Sequence, residues 1–295
     1  MPAKYGDLGK KANDLFNKGY EQGKYKVEVS SKAEGFEFTT KGHQDAAGKI
    51  SASHEMKHPC FLKTGSIIKT TFTPGKNALD IEAENSKLVK GLKLTAIGSF
   101  PIEGCPVPAF NKIKGAWSND KLNVNFDSNL SSSVNVDAVF AAPVGNFGVK
   151  LGLNAKSLEL ANREIAFNMN KGSIDYTFRT ALSMYKNSYK KLKNDQFSFL
   201  DKDYNVVFHN QVNANTAIAV SSTYNSKGMS LALASKVRGA CGSSNQFKIA
   251  NNGVFALSHI TPLRNGAELT ISGEFNATNL QAGGHKLGAG LKFNL

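Results

Sequence analysis

The sequence lacks several features that would place it in a familiar class. No apolar run approaches the ~20 residues that a membrane-spanning helix needs. The three cysteines, Cys60, Cys105 and Cys241, are too few and too scattered for a disulfide framework or a zinc site. The six histidines show no ligand spacing with nearby cysteines or carboxylates. These absences exclude a helical membrane protein and a disulfide scaffold, and they predict no metal site.

Motifs for catalysis and cofactor binding are also missing. No Gly-x-Ser-x-Gly elbow, Walker loop or dinucleotide fingerprint occurs, and we expect neither an enzyme nor a bound cofactor. The N-terminus has no apolar stretch typical of a secretory signal, so export by a cleaved leader is not expected. The glycines near the C-terminus are better explained by sheet curvature than by a phosphate loop.

The net charge is strongly positive. The chain has 36 Lys and Arg residues against 23 Asp and Glu, giving +13 at neutral pH. Such a chain attracts small anions, anionic lipid or polyanions. The excess is spread along the sequence without a single basic arm, which argues against nucleic-acid binding.

The first 23 residues differ from the rest. Their apolar residues recur at helical spacing, and the lysines fall largely elsewhere on the helical wheel. The apolar positions are Tyr5, Leu8, Ala12, Leu15 and Phe16, and the lysines include Lys10, Lys11 and Lys18. Gly19 ends this helix, and the segment Gly19 to Gly23 reads as a hinge. We therefore predict an N-terminal amphipathic helix with a glycine hinge over residues 1–23.

From residue 24 to residue 295 the apolar residues alternate with polar ones, which is typical of strands that have one apolar face. The final stretch shows it clearly: Leu287, Ala289 and Leu291 alternate with Gly288 and Gly290. Short turn sequences separate the runs, and ~10 residues per strand leaves room for on the order of 18–20 strands. Two longer connections are expected at 101–108, which is rich in proline, and at 186–195.

Charges within these runs lie opposite the apolar positions. Examples are Lys26, Glu28, Lys93, Lys150, Asp175, Arg179, Lys236, Glu268 and Lys292. A soluble sandwich gives the same alternation, but nearly twenty strands in one sandwich would leave edges to protect. A single short helix is too small to cover so much apolar sheet, whereas lipid can cover it. The pattern therefore favours an all-β transmembrane antiparallel barrel over residues 24–295.

Several motifs resemble one family, the mitochondrial voltage-dependent anion channels or eukaryotic porins. They are the opening Tyr5-Gly6-Asp7-Leu8-Gly9-Lys10, the motif Gly91-Leu92-Lys93-Leu94, and the ending Gly283-Gly284-His285-Lys286-Leu287-Gly288. The ending also resembles the insertion signal of mitochondrial outer-membrane barrels, with Lys286, Gly288, Leu291 and Phe293 in its four places.

The resemblance implies a barrel of about 19 strands, with the helix in the lumen, in the mitochondrial outer membrane. It implies passage of ATP, ADP, phosphate and other small metabolites, and it places Lys93 on the pore wall in contact with nucleotide. With the helix in the lumen, Lys10, Lys11 and Lys18 would favour anions. Animal members often carry a lipid-facing glutamate on the fourth strand, but residues 60–72 contain no acid here. The segment 101–108 looks like an insertion.

We therefore predict a voltage-dependent, weakly anion-selective channel, embedded in membrane lipid, without a catalytic site. One alternative is the protein-translocating barrel of the same membrane. Another is a peripheral basic β protein that binds anionic lipid or nucleic acid. Homo-oligomer formation and docking of cytosolic kinases are further hypotheses, and no nucleic-acid partner is expected.

Overall fold

The computed structural model describes residues 2–60, 65–76, 78–102, 109–157, 160–181, 203–281 and 284–295. The predicted loop at 186–195 and most of the one at 101–108 lie outside the described residues. The sheet has 19 strands in one continuous order. They are β1 Tyr25–Ala33, β2 Phe36–Gln44, β3 Ile50–Pro59, β4 Ser66–Thr73, β5 Ala78–Asn85, β6 Leu92–Pro101, β7 Ala109–Ser118, β8 Leu122–Asn129, β9 Ser133–Ala142, β10 Gly145–Asn154, β11 Leu160–Lys171, β12 Ile174–Ala181, β13 Tyr204–Gln211, β14 Thr216–Asn225, β15 Gly228–Arg238, β16 Ser244–Ala250, β17 Val254–Pro262, β18 Ala267–Asn276 and β19 Lys286–Asn294.

The sheet closes on itself through its first and last strands. Consecutive strands pair antiparallel, and β1 pairs with β19 in parallel, with Val27 opposite Leu291. This follows from the odd strand number: when direction alternates along the chain, strands 1 and 19 run the same way. Closure leaves no edge strand with unpaired backbone groups, which a membrane requires. The predicted all-β barrel is confirmed, with 19 strands.

The alternating pattern separates an outer from an inner face. Large apolar side chains on the predicted parity point outward and stay exposed: Val27 by 47%, Phe147 by 46% and Ile271 by 54%. Such a continuous apolar exterior on a closed sheet fits lipid as its solvent. The peripheral β protein does not fit this surface, because a water-soluble barrel would present its polar parity outward. Among the described residues, none of the helices has both the length and the apolar character needed to cross a membrane.

The N-terminal segment is a broken helix inside the barrel. A single 3-10 turn covers Tyr5–Asp7, and the α-helix, α1, covers Lys10–Asn17. Gly9 separates them in the left-handed region, with φ of 68°. A side chain there would cost strain, and an added Cβ would lie 2.9 Å from the Thr177 hydroxyl on β12. The predicted N-terminal amphipathic helix is confirmed, and Gly9 divides the segment into a 3-10 turn and α1.

Candidate functional site: the lumen and its helix

The helix lies against one side of the lumen, which we call the helix-bearing arc (β9–β17). Ala12 and Leu15 pack on Val207, Ala219 and Ala234, and all five are at least 92% buried. The preceding turn packs separately: Tyr5 and Leu8 contact Val139 and Ala166. Small inward-facing residues on the strands allow the helix to approach the sheet closely. The helix is thereby held flat on the wall by apolar contact.

Arg179 on β12 anchors the beginning of this segment. Its Nη2 donates to the carbonyl oxygen of Leu8 at 2.5 Å and to that of Tyr5 at 3.3 Å. The guanidinium also lies 5.4 Å from the centre of the Tyr5 ring. Both carbonyls lie just before the break at Gly9, where helical hydrogen bonding is interrupted. The Tyr5 carbonyl already accepts from the Leu8 amide at 3.3 Å, whereas the Leu8 carbonyl receives no backbone donor among the described residues. The wall cation therefore stabilises a carbonyl that the broken helix leaves unpaired and reinforces a second one.

Tyr5 links this anchor to an ion pair. Its hydroxyl donates to Glu164 Oε2 at 3.4 Å, and Glu164 accepts from Lys150 Nζ at 3.3 Å. Burial, reinforced by the Glu164 charge, raises the pKa of the Tyr5 phenol far above its ordinary value. The phenol therefore stays protonated and remains a donor at any physiological pH.

Lys248 on β16 plays the same part at the other end of α1. Its Nζ donates to the carbonyl oxygen of Phe16 at 3.2 Å and lies 4.5 Å from the centre of the Tyr20 ring. A cation near the last carbonyls of a helix is favoured by the helix dipole and by hydrogen bonding. Burial raises the pKa of Tyr20 to about 12. Both ends of the segment are thus fixed by wall cations.

The predicted hinge follows α1. Gly19 and Gly23 have φ of 84° and 64°. Ser258 on β17 donates its hydroxyl hydrogen to the Gly19 carbonyl, and the Glu21 amide donates to Ser272 Oγ on β18 at 2.8 Å. At Gly288 on β19, an added Cβ would overlap the Glu21 carbonyl oxygen. The hinge therefore crosses β18 and β19 in close backbone contact.

The opposite side of the lumen, the charged arc (β1–β8), carries side chains of both signs. Ion pairs join neighbouring strands across it: Lys57 to Glu37 at 3.4 Å, Lys69 to Glu55 at 3.0 Å and Lys112 to Asp127 at 2.9 Å. All these side chains are about a third or more exposed to the lumen. Screened pairs of this kind add little stability, ~0–1 kcal/mol each. Their main effect is to set the local potential along the pore.

The predicted lysines all face the lumen, and acids lie close to each. Lys93 on β6 pairs with Glu84 on β5 at 2.6 Å. In the helix, Lys10 pairs with Asp7 and Lys18 with Asp14, both at 2.8 Å. Lys11 lies 3.9 Å from Asp175 on the wall. The structure does not gather these four lysines at one point, and contact with a nucleotide stays a prediction for each.

The predicted insertion signal lies on β19. Lys286 and Gly288 face the lumen, where Lys286 pairs with Glu274 at 2.8 Å. Leu291 and Phe293 are on the outward parity, opposite Leu269 and Ala267. On the fourth strand, Thr70 is outward-facing next to Met56, and β4 has no acidic residue.

Sequence reasoning placed Arg179 on the polar parity but missed its anchoring role, and it missed Lys248 altogether. It also missed the inward apolar residues Val139 and Val207. A signal existed for these two, because each sits between apolar residues of the outward parity. Apolar side chains on both faces indicate that something apolar also covers the inner face. No sequence signal identifies which lysine or arginine meets a helix carbonyl.

A closed transmembrane barrel with a charged, partly open lumen defines a pore-forming membrane protein. The eukaryotic porin family matches residues 1–288, so the chain belongs to that family, as its motifs predict. Similar proteins include the non-selective voltage-gated ion channel VDAC2 of Meleagris gallopavo, 31% identical over 99% of this chain and 94% of that protein. VDAC2 of Xenopus laevis is 31% identical over 99% of both chains. The voltage-dependent anion-selective channel of Drosophila melanogaster is 27% identical over 99% of this chain and 98% of its own.

Solved structures show the fold alone. A mutant form of the porin of Rhodopseudomonas blastica has a TM-score of 0.50 at 9% identity. The alignment covers 90% of this chain and 95% of that chain. It supports the closed membrane barrel, since sequence identity this low carries no information on ligands.

Proposed function

We propose that the chain forms a voltage-dependent, weakly anion-selective channel of the mitochondrial outer membrane. ATP, ADP, phosphate and other small metabolites would diffuse through it. The observation that carries this proposal is the closed barrel whose lumen is lined by charges of both signs. A pore must bind its permeants weakly enough to release them, and a wall of neutralised pairs meets that requirement.

Weak selectivity follows from how the charges are paired. Residues 1–23 contain four lysines and three acidic residues, so the helix and hinge add a net charge of only +1 to the lumen. On the strands, Lys41, Lys114, Lys236 and Arg238 face the lumen without an ion pair among the described residues, and so do the acids Asp80, Glu82 and Glu268. In all, 15 Lys and Arg side chains lie on the inward parity of the described strands against 12 Asp and Glu. A modest positive excess favours anions without excluding cations.

Voltage dependence is supported by the same charges. Moving one elementary charge across 100 mV is worth ~2.3 kcal/mol, so a small displacement of lumen charges biases two pore states. The names of the relatives agree on voltage gating and differ on selectivity. We include homo-oligomer formation and docking of cytosolic kinases in the proposal as further interactions, separate from conduction.

Planar-bilayer recording of the refolded full chain tests both properties. In a KCl gradient, we expect a reversal potential that indicates modest anion preference in the open state. Conductance should fall at high voltage of either sign. Cation preference in the open state would contradict the selectivity, and voltage-independent conductance would contradict the gating. Fractionation of the native cells, with carbonate extraction at high pH, tests whether the protein is integral to the mitochondrial outer membrane.

A further inference from the structure

The outward face of the barrel carries one unusual residue, Arg163 on β11. Arg163 pairs with Leu151, which is 40% exposed on the outer face. Its neighbour Glu164 contacts Tyr5 and Lys150 in the lumen, so Arg163 points the other way. Across the described strands, it is the one permanently charged side chain on the outward parity away from a strand end. The second charged side chain on the outward parity, Lys171, is the last residue of β11 and so lies at a strand end.

Among the residues that the structure describes, no group compensates this charge. Arg163 makes no hydrogen bond, ion pair or ring contact with any described residue. Arg179 on the next strand, by contrast, is fully engaged with the helix. A bare arginine on the lipid face is strongly destabilising at the midplane of the bilayer and costs little near the interface. The residue is therefore tolerable only where its guanidinium reaches polar groups of the membrane.

The position along the strand meets that condition. Arg163 is the fourth residue of β11, counted from Leu160. Three residues of a tilted strand span a depth of roughly 8 Å, which a long arginine side chain can cover by bending toward the interface. Tyr204 and Tyr224 lie at the same end of β13 and β14 on the outward face. Tyrosines at strand ends mark the level of the lipid headgroups.

A second cation lies on the same hairpin. Lys156 is exposed in the turn between β10 and β11, and its side chain has no ion pair among the described residues. We propose that Arg163 and Lys156 form a site on the outer barrel surface for the phosphate of an anionic phospholipid. The guanidinium would hold the phosphate oxygens, and the lysine would supply the second charge that favours an anionic over a zwitterionic headgroup. This site is independent of conduction through the lumen.

The single tryptophan of the chain makes the test direct. Trp117 lies on the outward face at the far end of β7, away from Arg163. In a second protein, W117F combined with L160W moves the reporter to the start of β11, since Leu160 is 42% exposed to the outside. Both proteins are reconstituted in phosphatidylcholine vesicles that contain brominated phosphatidylglycerol or brominated phosphatidylcholine. Quenching of tryptophan fluorescence then gives the relative binding of the two lipids beside each reporter.

We expect the reporter at position 160 to show a preference of roughly fivefold for phosphatidylglycerol, as one basic residue near an anionic surface provides. R163Q and K156Q should each reduce the preference, and the double variant should bring it close to one. The matched control R238Q removes an arginine from the lumen side and should leave it unchanged. A parent-like circular-dichroism spectrum of the sheet, and parent-like resistance to protease in the vesicles, show that each variant is folded.

Three outcomes would overturn the proposal. The first is an unchanged preference in R163Q. The second is an equal preference at Trp117 and at position 160, which would assign the effect to net charge. The third is loss of the preference in soluble phosphate but not in chloride of equal ionic strength, which would indicate a site for free phosphate.

Discussion

The two arcs of the lumen have the same backbone but different inner surfaces. In the helix-bearing arc, small and apolar residues such as Ala219 and Ala234 are fully buried beneath α1. In the charged arc, lysines and glutamates alternate from strand to strand and stay open to water. One arc is a docking surface for a protein segment, and the other is a surface for solutes. The difference shows that strands with the same alternation of apolar and polar residues can form two different inner surfaces.

The largest expected effect comes from closing the space beneath the helix segment. An added Cβ at Gly148 on β10 would lie 2.7 Å from the Tyr5 ring and 2.9 Å from a Leu8 methyl. We therefore expect G148L to displace the segment before Gly9, since overpacking typically costs ~1–3 kcal/mol. A spin label at K4C, in a cysteine-free background, should become mobile.

G42L is the control for side-chain size, because nothing lies within 4 Å of an added Cβ at Gly42. It should leave the K4C label immobile. A label that stays immobile in G148L as well would contradict the docked position of the segment.

Removing the Arg179 anchor should have the next largest effect. R179Q loses the charge of the hydrogen bonds to the two carbonyls, but the glutamine amide can still donate to one of them. The net loss is therefore ~2 kcal/mol, which should loosen the docked segment roughly 30-fold. The same K4C label reports the docked fraction. R238Q, which removes an arginine that no helix group contacts, should leave that fraction unchanged. Equal mobility in R179Q and R238Q would show that lumen charge alone holds the segment.

The Lys248 anchor gives a smaller effect at the end of α1. K248Q loses one hydrogen bond to the Phe16 carbonyl and one contact with the Tyr20 ring, together ~1–2 kcal/mol. A label at K18C should gain mobility, while the K4C label, held by Arg179, should not. The control K236Q removes a wall lysine from β15 without touching the helix. An equal gain of mobility of the K18C label in K248Q and K236Q would contradict the role of Lys248 as an anchor for the end of α1.

The charged arc should respond in selectivity and hardly in stability. E84Q leaves Lys93 without its partner at 2.6 Å, and K93Q removes the lysine itself. We expect reversal potentials to shift by a few millivolts, toward anion preference in E84Q and toward cation preference in K93Q. Thermal unfolding should change by less than ~1 kcal/mol because both side chains are partly exposed. Shifts of the reversal potential in the same direction for both variants would contradict the placement of Lys93 on the pore wall.

The sequence predicted much of this molecule. Alternation along residues 24–295 depends only on the two faces of a strand, so barrel class and outward face could be read directly. The apolar face of the N-terminal helix was also predicted, because helical periodicity is a local pattern as well. The break at Gly9 was not, because glycine is tolerated both inside a helix and at its end.

What the sequence determined by itself was each residue's side of the wall: Lys93 inside, Phe147 outside, Leu15 toward an apolar surface. Only the tertiary structure decided which inside residues meet. Arg179 and Leu8 are 171 positions apart, and their contact exists because the closed sheet carries β12 beneath the start of the helix. Side-chain alternation is local and visible in a few residues. Barrel closure brings distant strands to one lumen, and no short pattern records which of their charges become neighbours.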